Sequence, residues 1–130
     1  MFELNGRDSR ILSRMSDDTP LILLIEDEPA TARLVQHKVK GQGYRFEHRS
    51  NGKEGYEAAM ELLPDVIILD VMLPSMNGFE ILRKLRKHDQ TSDTKVIMLT
   101  SKNREEDIKM GFDLEADEYM DKPFRPGELI

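Results

Sequence analysis

Five side chains with reactive oxygen or nitrogen atoms stand directly after short, mostly apolar runs of this sequence. They are Glu26, Asp27, Asp70, Thr100 and Lys122. Brought together, they would set three carboxylates against one ammonium, a net charge of about −2. Neighbouring carboxylates share protons or bind a cation, and a site whose ligands are all oxygen suits Mg²⁺ or Mn²⁺.

Asp70 is the candidate for the reacting residue of such a site. Beside a divalent cation, an aspartate can attack phosphorus and become an aspartyl-phosphate. The cation, the Lys122 ammonium and the Thr100 hydroxyl would neutralise and hydrogen-bond the transferring oxygens. These residue types therefore favour phosphoryl chemistry.

Five strands are expected to carry these residues: β1 (21–25), β2 (44–49), β3 (66–70), β4 (95–100) and β5 (118–121). Continuous apolar runs in β1, β3 and β4 are typical of strands buried on both faces. Apolar and polar residues alternate in β2, and β5 is short and weak, so both suit the edges of a sheet.

Five helices are expected between and after the strands: α1 (29–40), α2 (52–63), α3 (77–87), α4 (103–115) and α5 (from 126). In α1, Leu34, Val35 and Val39 are expected to face inward. The alternation of strands and helices predicts an α/β fold with a doubly wound, five-stranded parallel sheet of order 2-1-3-4-5, which is flavodoxin-like. All strands of such a sheet end at one edge, so the five candidate residues are expected to converge.

Composition narrows the classes of function. The 130 residues suit one domain, expected over residues 20–130, with residues 1–19 as a flexible leader or an expression-derived segment. A net charge of −6 argues against direct nucleic-acid binding, and no apolar run approaches the roughly 18 residues of a membrane span. The absence of cysteine fits a cytoplasmic protein.

The three histidines, His37, His48 and His88, lack the spacing of metal ligands and are expected at the surface. The basic run 83–87 is expected at the surface as well.

Four motifs in fixed order resemble the receiver domain of two-component response regulators. They are Glu26-Asp27-Glu28-Pro29, Leu69-Asp70-Val71-Met72-Leu73-Pro74 with Asn77-Gly78, Leu99-Thr100-Ser101, and Ala116-Asp117-Glu118-Tyr119-Met120-Asp121-Lys122-Pro123-Phe124. The resemblance covers residues 20–130, and four motifs in register are far more specific than any one of them.

The resemblance implies a role for each matching residue. Asp70 is similar to the phosphoacceptor, and Glu26 with Asp27 to the acidic pair that holds Mg²⁺. Asp70 itself and the backbone carbonyl of Met72 match the further metal ligands. Lys122 matches the lysine that contacts the phosphoryl group. Thr100 and Tyr119 match the switch pair, whose rearrangement alters the α4-β5-α5 surface.

The implied function is a phosphorelay switch that catalyses only its own phosphorylation and dephosphorylation. Its implied partners are a histidine kinase or phosphotransfer protein, a downstream effector domain or protein, and a second copy in a phosphorylation-dependent homodimer. The sequence departs from the family pattern at Glu26, where Asp is commoner, at Ser101 and at Glu115. The last helix is expected to be incomplete, because the chain stops at Ile130.

Two alternatives stay open from the sequence. One is a Mg²⁺-dependent phosphohydrolase that works through an aspartyl-phosphate, although Met72 stands where such an enzyme would carry a second acid. The other is a pseudo-receiver, an interaction module that is never phosphorylated. The full set of acidic, hydroxyl and lysine residues counts against it.

Overall fold

A computed structural model of the protein describes residues 19–100 and 116–121, the latter without the side chains of Tyr119 and Asp121, and Thr100 without its side chain. The elements within these ranges are β1 (Leu21–Ile25), α1 (Pro29–Gly41), β2 (Arg45–Arg49), α2 (Gly52–Leu62), β3 (Val66–Asp70), α3 (Gly78–Lys87), β4 (Lys95–Thr100) and β5 (Glu118–Asp121). The predicted helices α4 and α5 lie outside the described residues, as does almost all of the predicted leader. The predicted boundary between residues 19 and 20 therefore stays a prediction.

The five strands form one parallel sheet of order β2-β1-β3-β4-β5. This confirms the predicted order. β1 and β3 are buried along their whole length, whereas every residue of β2 is partly or fully exposed. Continuous apolar strands thus lie in the middle of the sheet and the alternating strand lies at its edge, as their patterns indicated.

Two apolar cores lie on opposite faces of the sheet, because successive side chains of a strand point to opposite sides. On one face, Leu23 and Ile25 pack in a cluster with residues of α2 and α3, including Ala59 and Leu82. On the other face, Ile22 and Leu24 pack with α1. Helices therefore cover both faces, which confirms the doubly wound architecture.

The inward face of α1 differs from the prediction at one residue. Thr31, Ala32, Val35 and Val39 are buried, but Leu34 is 41% exposed. Leu34 lies about 100° of helix rotation from Val35, outside the stripe that the four buried residues form. The prediction placed Leu34 inward because it is apolar, whereas Thr31 and Ala32 fill the first part of the buried stripe.

No helix among the described residues combines the length and the apolar composition that crossing a membrane requires.

Candidate functional site

The carboxyl edge of the sheet brings three of the predicted site residues together. Ile25 of β1 pairs with Leu69 of β3, so the residues that follow them, Glu26 and Asp70, come side by side. Asp27 is next in the chain. One carboxylate oxygen from each of Glu26, Asp27 and Asp70 lies within 4.8 Å of the other two.

Burial makes this cluster asymmetric. The Glu26 side chain is fully buried and Asp70 is 3% exposed, whereas Asp27 is exposed. Two carboxylates are thus shielded from water and the third borders solvent, which leaves one side of the cluster open to a ligand. Like charges at this separation repel each other strongly when water is excluded, so a cation beside them is favoured.

The backbone around Glu26 orients its carboxylate. The Glu28 N–H donates a hydrogen bond of 3.0 Å to Glu26 Oε2. Glu28 is also the residue before α1, where Pro29 occupies the first turn, a position that Pro suits because its missing N–H is not needed there. The start of α1 therefore fixes one oxygen of the acidic pair. The Glu28 carboxylate itself accepts a hydrogen bond from the Thr31 hydroxyl.

Asp70 is held by the turn that follows β3. Its Oδ1 accepts a hydrogen bond from the Met72 N–H at 3.3 Å. Beyond the turn, Asn77 caps α3 by accepting the Phe79 N–H at 2.7 Å. The Gly78 N–H donates to the Val71 carbonyl at 2.9 Å, so the first residue of α3 sits directly against the end of β3.

The loop between β3 and α3 is also tied to the start of α2. The Gly52 N–H donates to the Pro74 carbonyl at 3.1 Å, and the Lys53 N–H donates to Ser75 Oγ at 3.2 Å. Ser75 has a left-handed backbone, with φ of 69°. These contacts hold the loop that carries Met72, whose side chain is 69% exposed.

The remaining predicted site residues are placed only in part. Thr100 ends β4 and pairs with Asp121, and Tyr119 of β5 pairs with Met98. Thr100 and Tyr119 therefore lie on neighbouring strands, β4 and the edge strand β5, as predicted. Their side chains are outside the described residues, and so is Lys122. The predicted roles of all three stay predictions.

His48 is the site neighbour that sequence reasoning missed. It was expected at the surface, but it is half-buried, and its Nε2 lies 2.7 Å from the Glu26 carbonyl oxygen. The alternation of β2 could have indicated this, because it places His48 beside β1 and on the same face as Phe46, which is partly buried and packs against the core.

The donor set of the cluster fits a divalent cation that prefers oxygen ligands. Three carboxylates within one small region supply negative charge and oxygen atoms, and both are what Mg²⁺ binds in proteins. Glu26, Asp27 and Asp70 are the residues that could hold it.

Comparison with known proteins agrees with this geometry. The model of the response regulator receiver domain family matches residues 22–130. This chain is a response regulator receiver domain. It is 40% identical over 111 residues to the "DNA-binding dual master transcriptional regulator RpaA" of a Synechocystis species, a match that covers 85% of this chain and 46% of RpaA. The receiver chain thus spans about half the length of the curated relatives it matches.

Solved structures of receivers have the same fold. The chemotaxis protein CheY4 of Vibrio cholerae is 32% identical with a TM-score of 0.80, over 85% of this chain and 92% of CheY4. The receiver domain of the sensor histidine kinase PA1611 from Pseudomonas aeruginosa is 26% identical with a TM-score of 0.78, over 85% of this chain and 91% of that domain. That structure is described as having a magnesium ion coordinated in the active site cleft.

Proposed function

We propose that Asp70 of this receiver accepts a phosphoryl group from the phosphohistidine of a histidine kinase or phosphotransfer protein. The observation that carries the proposal is the position of its carboxylate, which is 3% exposed and within 4.8 Å of the carboxylates of Glu26 and Asp27. Placing three carboxylates so close together, two of them buried, costs electrostatic free energy, and a bound cation would offset that cost.

Glu26, Asp27, Asp70 and the backbone carbonyl of Met72 are the proposed ligands of Mg²⁺, with Mn²⁺ as a substitute of similar chemistry. The ion, when bound, neutralises the carboxylates and the incoming phosphoryl oxygens. Support comes from the donor set itself and from the magnesium described in the PA1611 receiver.

The transfer requires few groups from the protein. An Asp70 oxygen forms the new bond to phosphorus while the N–P bond of the phosphohistidine breaks, and the released imidazole takes up a proton. The Met72 N–H hydrogen-bonds Asp70 Oδ1 and so orients the carboxylate. Lys122 and the Thr100 hydroxyl are proposed to contact the transferred oxygens. Attack of water on the same phosphorus breaks its bond to the Asp70 oxygen, which releases inorganic phosphate and restores the carboxylate. The domain thus catalyses only its own phosphorylation and dephosphorylation.

The output is proposed to pass through the α4-β5-α5 surface, with Thr100 and Tyr119 as the switch pair. Phosphorylation would shift a pre-existing equilibrium toward a state that favours an effector domain, a partner protein or a second copy of the chain. The name of RpaA describes a DNA-binding regulator, and the relatives are about twice as long as this chain. We therefore place any contact with DNA in an effector and not in this segment, and we place the protein in the cytoplasm.

The experiment is intact-mass measurement of the full chain after incubation with acetyl phosphate and Mg²⁺. We expect one added phosphoryl group in the wild type, and none in Asp70→Asn or in the sample without divalent metal. Asp89→Asn, which changes an exposed aspartate in the turn after α3, is the matched control and should be modified as the wild type is.

Each other outcome contradicts the proposal. Modification of Asp70→Asn would place the phosphoryl group elsewhere. A folded wild type that gains no mass, and that does not hydrolyse acetyl phosphate faster than buffer alone does, would be a pseudo-receiver. Repeated turnover of an unrelated phosphate ester would indicate a phosphohydrolase.

A further inference from the structure

We propose that His48 is a positioning residue for the acidic cluster, and that it sets the affinity of the cluster for Mg²⁺. Its ring holds the peptide group that joins Glu26 to Asp27. The inference rests on the proposed function, because that function assigns Mg²⁺ to these carboxylates.

The contact is a hydrogen bond of 2.7 Å between His48 Nε2 and the carbonyl oxygen of Glu26. A carbonyl can only accept, so Nε2 carries the proton and donates it. The N–H of Glu26 in turn donates to the Arg49 carbonyl at 3.0 Å. Two consecutive residues of β2 therefore hold the main chain of Glu26, one on each side of its Cα atom.

This arrangement bears most directly on Asp27. A peptide group is planar, so fixing the direction of the Glu26 carbonyl also fixes the plane that contains the Asp27 nitrogen. The Asp27 side chain is exposed, and packing alone therefore restrains it little. The Glu26 carboxylate has its own restraint, the hydrogen bond from the Glu28 N–H to Oε2.

The strand pattern explains how His48 reaches this point. Phe46 packs against the apolar core on the α1 face of the sheet, and His48, two residues later, lies on the same face. His48 pairs with Leu24 of β1. Its ring thus starts two positions before Glu26 and extends along β1 to the Glu26 carbonyl.

Residues that orient metal ligands commonly change metal affinity by about 10–100-fold when they are removed. We expect His48→Leu to weaken Mg²⁺ binding by about tenfold, because the apolar side chain cannot donate a hydrogen bond. The Mg²⁺ dissociation constant of His48→Gln should stay within about threefold of the wild-type value, since the glutamine amide nitrogen can donate a hydrogen bond from a similar position.

The test is the dissociation constant of Mg²⁺ for the full chain, followed by the chemical shifts of backbone amides or by calorimetry, and not by phosphorylation. Phe46→Leu is the matched control, since it changes packing on the same face of the same strand and keeps the side chain that donates to the Glu26 carbonyl. Thermal unfolding of every variant without Mg²⁺ records how much stability each one has lost.

The outcomes separate this inference from the function beneath it. If the wild type shows no Mg²⁺ binding, the proposed function is overturned. If the wild type binds and His48→Leu binds equally well, His48 does not position the cluster. An equal loss of Mg²⁺ affinity in His48→Leu and Phe46→Leu would also overturn the inference, and so would an equal loss in His48→Leu and His48→Gln. Neither result follows from the loss of one hydrogen-bond donor.

Discussion

At the scale of single residues, the close contact between α3 and β3 depends on the absence of a side chain at Gly78. A Cβ atom built there would lie 2.2 Å from the carbonyl oxygen of Asp70 and 3.0 Å from the Cα of Val71. Real Cβ atoms do not approach backbone so closely, so a larger residue must move either the helix or the strand end. The backbone of the proposed phosphoacceptor is what it would push against.

Gly78→Ala is therefore expected to lower the free energy of unfolding by about 1–3 kcal/mol, the usual cost of overpacking. It should also slow phosphorylation of Asp70 by acetyl phosphate, because the carboxylate shifts with its backbone. Urea denaturation measures the first effect and the rate of mass increase measures the second.

Gly41→Ala is the control for this substitution. Gly41 is the last residue of α1 and nothing lies within 4 Å of a Cβ built there, so alanine should stabilise the protein by about 0.4–1 kcal/mol. Similar losses of stability and of phosphorylation rate in Gly78→Ala and Gly41→Ala would show that the close approach of Gly78 to Asp70 does not matter.

At the scale of elements, Arg86 joins the end of α3 to the residues that immediately precede β4 and β5. Its Nη1 donates to the carbonyl of Thr94 at 2.7 Å and of Ser92 at 3.2 Å, and its Nη2 donates to Asp117 Oδ2 at 3.1 Å. Asp117 Oδ2 also accepts the Val96 N–H at 2.8 Å. The basic run 83–87 was expected to be solvated, but the Arg86 side chain is only 12% exposed, so the prediction was wrong for this residue.

Arg86→Lys is expected to destabilise the fold by about 1–3 kcal/mol, because one ammonium cannot reach every acceptor that the planar guanidinium reaches. Arg83→Lys, an exposed position on the same helix, is the control and should leave stability unchanged. Chemical denaturation compares the free energies of unfolding of the two variants. Hydrogen exchange at the Val96 amide, which donates to Asp117, reports whether the start of β4 and β5 becomes more mobile. Equal stability of the two variants would mean that the guanidinium contacts contribute nothing net.

At the scale of the whole molecule, metal binding and folding must be linked. Glu26, directly after β1, and Asp70, at the end of β3, meet only in the folded sheet, so the proposed Mg²⁺ site exists in the folded state and not in the unfolded chain. A ligand of this kind stabilises the fold by an amount that grows with its concentration.

At a Mg²⁺ concentration ten times the dissociation constant, the free energy of unfolding should rise by about 1.4 kcal/mol. Asp27→Asn, at the exposed corner of the cluster, should reduce this gain without preventing folding. Thermal unfolding with and without MgCl₂ measures it, with NaCl added to match ionic strength because salt screens surface charges. A gain of the same size in Asp27→Asn would argue that Mg²⁺ acts elsewhere.

The sequence alone was sufficient for the sheet and for the central acidic cluster. The unbroken apolar runs of β1 and β3 can be satisfied only by burial on both faces, and that places both strands inside the sheet. Parallel strands end at one edge, so Glu26, Asp27 and Asp70 follow from the chain pattern without any knowledge of contacts. The roles of Thr100 and Lys122 at the phosphoryl group were inferred from their residue types, and the resemblance to receivers added the switch pair of Thr100 and Tyr119. All of these roles stay predictions.

The tertiary structure decided what residue type and local spacing cannot distinguish. His48 and Arg86 look like surface residues in the sequence, and each binds backbone carbonyls of another part of the chain. Asp65 is buried, and its Oδ2 accepts the Leu21 N–H at 2.7 Å, between residues 44 positions apart. Leu34 is apolar and yet exposed. Periodicity reports which face of an element is apolar, but the partner of a polar side chain depends on how distant elements approach one another.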